Sequence, residues 1–439
     1  MYSKKDIIYQ TGVFTLMKYN RTELDKNIGF TSITDEKFKT SHISVRFITK
    51  LSAETASANV IATDTLTYST SSLPALSLLN EKLSSLYGAS LSSFSIKKGD
   101  IQILGISSSC IVNRYAIDGE DIEGEMLDIL RESIFSPNAK NGKFDDESFR
   151  ITKKELLDRI DSEINNKRGY ALSRAGEIAF RGEPAQSTSY GTKESAEAVT
   201  AESAYSAYLN LLKTAPVEIT YVAPTENPAV IEMFRKSFAE TERIPEKVKF
   251  HTASPLKPEV VTESDEFDVR QCKMVMTFKH DCDNIYAMKM LNTIWGETPV
   301  SKLFANVREK MSLCYYCATR VNKYKKTVFV DIGVERNNIE KAKAEILHQL
   351  DEIRNGNITD EEMESARLSL DNALTAVGDT PSSYSGWYFD CLCDNEIITP
   401  EECFLKYKSV TKEDIINTAK SLTLDSIYIM YDKEDANNE

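Results

Sequence analysis

Residues 301–316 read SKLFANVREKMSLCYY. A charged pair, Arg308 and Glu309, stands between apolar residues, and a double Tyr follows. The tail of the stretch continues as SLCYYCATRV (312–321), rich in β-branched and aromatic residues, which predicts a strand. RVNKYKKTVFVDI (320–332) then predicts a hairpin into a second strand. Behind it, Ile339, Ala342, Ile346, Leu350 and Ile353 recur every three or four residues, one apolar face of a helix.

The same order of signals occurs earlier in the chain. SFSIKKGDIQILGI (93–106) predicts a hairpin turning at Lys97-Lys98-Gly99-Asp100. IEGEMLDIL from Ile122 matches IEKAKAEIL from Ile339. Acidic runs follow both, FDDESF from Phe144 and ITDEEM from Ile358, and each opens a further helical stretch. AVTAESAY from Ala198 matches SVTKEDII from Ser409, where Val-Thr precedes an acidic first turn in the manner of a helix N-cap. Each copy ends in a short apolar strand, VEITYVA or SIYIMY. Three matched segments in one order predict a duplicated chain. Between the copies, six of the twelve prolines (216, 224, 228, 245, 255 and 258) crowd together, which predicts a connector. The expected organisation is an N-terminal half at 1–225, a Pro-rich linker at 226–258 and a C-terminal half at 259–439. The expected fold is α+β, each half having two α/β layers with a mostly antiparallel sheet packed by helices.

The chain has 439 residues, 41% of them hydrophobic and 27% charged, with a formal charge of −14. That charge repels nucleic acid and anionic membrane. Apolar runs are too short to span a bilayer. MYSKKDIIYQ has no apolar core after its lysines, so it is not read as a secretory signal, and the expected compartment is the cytoplasm. Of the eight Cys, Cys314 and Cys317 stand three apart in a strand, which predicts opposite faces, and Cys391 and Cys393 stand two apart in a helix, where side chains diverge. Reduced thiols are expected in preference to a metal cluster.

SKLFANVREKMSLCYY, with TVFVDIGVE and IEKAKAEILHQL behind it, resembles the C-terminal half of the pitrilysin/insulinase peptidases. The matching positions are Ser301, Leu303 and Phe304, then Arg308, Glu309 and Lys310, then Leu313 and Tyr315. LSSLYGASLSSFSIKKGD (83–100) resembles the catalytically silent branch of that family. The resemblance covers nearly the whole chain. It implies two homologous halves arranged as a clamshell.

Active members are zinc enzymes of the inverzincin type. Two His at i and i+4 of His-x-x-Glu-His hold Zn²⁺ from one helical face, the Glu between them acts as general base, and a distant Glu completes the ligand set. This chain has four His (42, 251, 280 and 348), no two of them four apart, so the motif is absent in either direction. Counting back from Leu-Tyr-Gly-Ala, the ligand positions fall at Val60 and Asp64 and the base position at Thr63. Val60 cannot bind metal, and the Thr63 hydroxyl is not ionised near neutral pH. Glu155, in KKELLDRI, is the candidate for the distant ligand, against the plainer view of a solvated helix residue. No metal is therefore expected in this chain, and the resemblance places zinc in a partner.

In the family, an Arg and a Tyr of the C-terminal half hold the substrate peptide. They match Arg308 and Tyr315 here. A guanidinium offers a rigid fork of donors and a phenol one directed donor. The plainer view is an Arg–Glu surface pair and a core Tyr. WGETPV (295–300) is too short to form the long Gly-rich loop that some silent subunits carry.

Three functions compete. The first is a non-catalytic subunit of a heterodimeric peptidase, forming half of a peptide-enclosing chamber with a zinc-bearing partner, and inactive alone. The second is a peptidase with a non-standard site, although there is no Gly-x-Ser-x-Gly elbow and no phosphate-cradling loop. The third is a peptide-binding or scaffold protein. A homodimer is an alternative assembly.

Overall fold

Strand-forming and helix-forming segments build two sheets in the computed structural model, which describes residues 7–8 and 17–433. The segment MYSKKDIIYQ lies almost wholly outside the described residues. The first sheet contains β1 (Ile7–Ile8), β2 (Lys18–Asp25), β3 (Ile28–Thr34), β4 (Thr40–Lys50), β5 (Ser90–Lys98) and β6 (Ile101–Ile111). A two-stranded hairpin, β7 (Ala139–Lys140) and β8 (Lys143–Phe144), stands apart, and β9 (Val217–Ala223) returns to the first sheet. The second sheet contains β10 (Val261–Phe267), β11 (Cys272–Lys279), β12 (Cys314–Asn322), β13 (Thr327–Val334) and β14 (Thr423–Asp432).

The strand orders are β1-β2-β3-β9-β4-β6-β5 and β10-β14-β11-β13-β12. In the first, β3 and β9 are parallel and every other pairing is antiparallel; in the second, β10 and β14 are the parallel pair. The last five strands of the first sheet thus follow the same order and directions as the whole second sheet. The fold is α+β in two halves with mostly antiparallel sheets, as the alternation of signals predicts.

Each sheet buries one face under helices. The apolar face of Ile339–Arg354 is fully committed: Ile339, Ala342, Ile346, Leu350 and Ile353 all lie in the core with β11 and β13. Burying a side chain of this size stabilises by about 1.5–3 kcal/mol. Thr200 and Thr411 cap their helices as the Val-Thr pattern predicts, each accepting a backbone N–H three residues on.

The chain is not divided in sequence as it is in space. One compact unit contains residues 1–161, 187–249 and 377–397; the other contains 162–186, 250–376 and 398–439. Each half therefore gives one helix to the other half's sheet. Lys167–Ala179 lays Ala171, Ala175 and Ile178 on Val275, Tyr428 and Met430. Pro381–Cys393 lays Tyr384 and Tyr388 on Tyr19, Ile33, Phe38 and Val222. A buried cation ties each down. Arg46 donates to the Ser385 carbonyl (3.3 Å) and hydroxyl (2.9 Å), and Lys279 donates to the Ala179 carbonyl (2.9 Å).

Within the stretch read as a connector, residues 228–239 form a helix. Pro228 starts it at the first turn, where its missing N–H costs nothing, and Val230, Phe234 and Phe238 enter the core of the first unit. The chain passes between units at 249–250, inside that stretch.

Cys314 and Cys317 do not face opposite sides. A bulge sets them against Val334 and Ile332, two residues apart on β13, so both turn toward the same core. All eight cysteines are free thiols, and burial pushes the Cys314 thiol up to about 11.

Candidate functional site

SKLFANVREKMSLCYY lies within the second unit, between a buried anchor and an edge strand. Leu303 and Val307 are fully buried, and Lys302 is ion-paired to Glu362 at 2.8 Å. Phe304–Lys310 winds as a π-helix, and Met311 N–H bonds back to Asn306 C=O, five residues earlier. Such wide turns are rare and concentrate at functional sites. Ser312, at φ 51°, turns the chain into β12.

The wide turn and the strand start bring Arg308 and Tyr315 together. The Arg308 guanidinium lies over the Phe304 ring (4.4 Å to its centroid) and the Tyr315 ring (5.2 Å). Such stacking contributes about 0.5–1 kcal/mol at an exposed site. Tyr315 is 77% exposed, so it is not a core tyrosine. The Arg308–Glu309 pair is also present, with Nε 3.4 Å from Oε1, a distance at which a charge is near but not well hydrogen-bonded. The preceding turn, TIWGE, is tied down: Glu297 accepts from Asn292 (3.0 Å) and Thr293 (2.9 Å) and pairs with Lys289.

The positions singled out in the first unit lie on the helix Ala56–Thr65 and on Asp146–Ser162, which faces its C-terminal end. Val60 is packed in the core, and Thr63 is buried with its hydroxyl donated to the Asn59 carbonyl (2.9 Å). Asp64 accepts from the Ser93 hydroxyl at 2.5 Å. Burial raises its carboxyl pKa above the usual range; Ser93 and Arg159 act against this, and the charge of Glu155 adds to it. Glu155 is exposed at the surface and accepts a hydrogen bond from Tyr68, whose own pKa is raised by burial and then by this carboxylate. Asp64 and Glu155 are thus brought near each other, whereas Val60 and Thr63 point elsewhere.

Two further residues four apart, Thr65 and Ser69, also meet the facing helix. Thr65 Oγ1 pairs with Thr152 Oγ1 (2.9 Å), and one turn on, Ser69 Oγ pairs with Ser148 Oγ (2.8 Å). All four are buried. The sequence reading did not single out these four hydroxyls, because their pairing depends on a helix distant in sequence. This arrangement does not fit a zinc ion. Neutral hydroxyls spent on one another are not zinc ligands, and among the described residues no three His, Cys, Asp or Glu side chains are grouped to hold a metal.

Leu-Tyr-Gly-Ala has its own structural role. Tyr87 and Gly88 are both left-handed (φ 58° and 73°) and end the helix Leu76–Ser85. The Tyr87 hydroxyl donates to Glu120 (2.9 Å) and accepts from the Ile117 N–H (2.9 Å), which anchors the loop 113–121.

A family model described as "Peptidase M16 inactive domain" matches residues 198–370. The chain is 26% identical over 427 residues to the "Probable inactive metalloprotease YmfF" of Bacillus subtilis (strain 168), a match covering 96% of this chain and 100% of that protein. Among solved structures, a conserved protein from Enterococcus faecalis V583 superposes with a TM-score of 0.89 at 26% identity, over 95% of this chain and 100% of that one. At 15% identity, a peptidase M16 inactive domain from Pseudomonas fluorescens (TM-score 0.78, covering 96% of this chain and 99% of that one) and a protease from Helicobacter pylori (0.76, covering 95% and 100%) share the fold. Residues 198–370 thus match the inactive domain of peptidase M16, and the chain is similar over nearly its whole length to a probable inactive metalloprotease, while its own sequence lacks His-x-x-Glu-His.

Proposed function

We propose that the protein is the non-catalytic subunit of a heterodimeric metallopeptidase. It forms half of a clamshell chamber around a peptide, and a zinc-bearing relative supplies the metal and the general base. Arg308 and Tyr315 hold the peptide or complete the partner's site. The observation that carries this is the contrast between the two loci. At the expected ligand positions Val60 is apolar and packed in the core, while the guanidinium–phenol pair lies at an exposed surface. The like order of the two sheets supports an origin by duplication. The cytoplasm is the proposed compartment.

The test is co-expression with a relative bearing intact His-x-x-Glu-His. A joint species on size-exclusion with chelator-sensitive peptidase activity, lost tenfold or more in Arg308→Ala at unchanged melting temperature, is the expected outcome. Two separate species, or peptide cleavage by this chain alone, would overturn the proposal.

A further inference from the structure

Resting on that peptide-holding role, the geometry points to the kind of group Arg308 receives: we propose that it is a carboxylate receptor, selecting peptides by a free C-terminal carboxylate or an acidic side chain. The argument starts from donors. A guanidinium has five N–H donors and no acceptor, and folded proteins usually spend them. Two arginines of the first unit spend theirs. Arg21 makes two hydrogen bonds to Glu218 (2.5 and 2.7 Å), and Arg46 bonds Ser385 and Thr220. Arg308 is held instead by its faces, on Phe304 and Tyr315, and among the described residues it makes no hydrogen bond to protein. Stacking fixes the plane and leaves the edge open. An open, pre-oriented guanidinium edge matches two parallel acceptor oxygens, the geometry of a carboxylate and not of a single peptide carbonyl.

Glu309 indicates the same chemistry. Its carboxylate, 59% exposed, hovers 3.4 Å from Nε, too far for a good hydrogen bond and near enough to be displaced by a better-placed acid. Lys310 adds a second positive charge in the same turn. The site is therefore locally cationic on a chain whose net charge is −14.

The test uses the full chain and fluorescently labelled peptides of one extended sequence in three forms: free C-terminal carboxylate, the C-terminal amide, and the amide with one internal Glu. Fluorescence polarisation reads affinity. At least one carboxylate form is expected to bind about tenfold to hundredfold tighter than the plain amide, the range for a charge-assisted pair. Whichever form it is identifies the source. Arg308→Lys, which keeps the charge and loses the fork, is expected to abolish most of that preference, and Glu309→Gln to tighten binding by freeing the edge. Equal binding of all three forms would overturn the carboxylate assignment and leave the peptide-holding role standing. An unchanged preference in Arg308→Lys would overturn the stacked-fork argument. Binding of none of the three overturns both.

Discussion

Asp425→Asn is expected to loosen the helix that the second unit receives from the first half of the chain. The Asp425 side chain is fully buried and holds two ammonium groups, Lys257 at 2.7 Å and Lys279 at 3.1 Å. It also accepts the Lys257 backbone N–H at 3.0 Å. Lys279, only 4% exposed, passes the connection on to the carbonyls of Ala179 (2.9 Å) and Pro255 (2.6 Å). One carboxylate thus joins β14, β11, the segment before β10 and the end of the helix Lys167–Ala179. An amide in its place removes the negative charge and leaves a buried cation without a counter-ion. Removing one partner of a buried pair costs about 3–5 kcal/mol. At roughly 2–4 °C per kcal/mol for a unit of this size, the melting temperature should fall by about 6–20 °C.

The pH dependence has a definite sign. Burial already holds the Lys279 pKa below its usual value, with Asp425 opposing the shift. A base with a lowered folded pKa binds fewer protons folded than unfolded as pH rises through that pKa, so its penalty shrinks toward the unfolded pKa. Asp425→Asn deepens the shift. The gap between variant and wild type should therefore narrow from pH 7 to pH 9.5. Urea titrations followed by far-UV circular dichroism at both pH values measure it, with limited proteolysis across 162–186 as a local readout. Lys279→Met with Asp425→Asn should recover part of the loss, because a neutral apolar filling replaces a stranded charge. A loss under 0.5 kcal/mol, or a double variant no more stable than Asp425→Asn, refutes the reasoning.

Further outcomes follow from the other sites. Val60→His with Asp64→His should bind no zinc by elemental analysis and should lose stability, because residue 60 faces the core; Thr65→His, Ser69→His and Thr152→Glu together should bring three ligands to facing turns and retain zinc through dialysis. Tyr315→Ala should leave the melting temperature within 1–2 °C, since the ring is 77% exposed, yet weaken peptide binding; an equal fall in both would return Tyr315 to a packing role. Tyr87→Phe should cost about 1–2 kcal/mol and speed amide exchange across 113–121, because two hydrogen bonds end on that hydroxyl. Fragments 1–249 and 250–439 should each be insoluble or molten alone and should associate when co-expressed, which size-exclusion of the pair tests.

Local features were legible in the sequence because local physics sets them. The apolar stripe from Ile339 to Ile353, the Thr200 and Thr411 caps and the hairpin turning at Gly99 follow from periodicity, hydrogen-bonding and positive φ. The nearness of Arg308 and Tyr315 rested on the family's spacing, and the wide turn delivers it. What was not legible depends on partners distant in sequence. The stripe of Lys167–Ala179 says that it packs, not which sheet receives it. The bulge that turns Cys314 and Cys317 to one side is fixed by their pairing with β13. The hydroxyl pairs of Thr65 and Ser69 depend on a helix some 80 residues away.

The exchanged helices also set a timetable for synthesis. Every strand of the first sheet has been made by residue 223, but Pro381–Cys393, which covers Tyr19, Ile33, Phe38 and Val222, emerges only when about nine-tenths of the chain exists. At about 5–20 residues per second, the sheet waits roughly 8–35 s with that face and Arg46 uncovered. During that interval the nascent chain presents an apolar surface together with the Arg46 charge. A chaperone that shields it therefore acts on an intermediate imposed by the order of the chain, and not on a misfolded product.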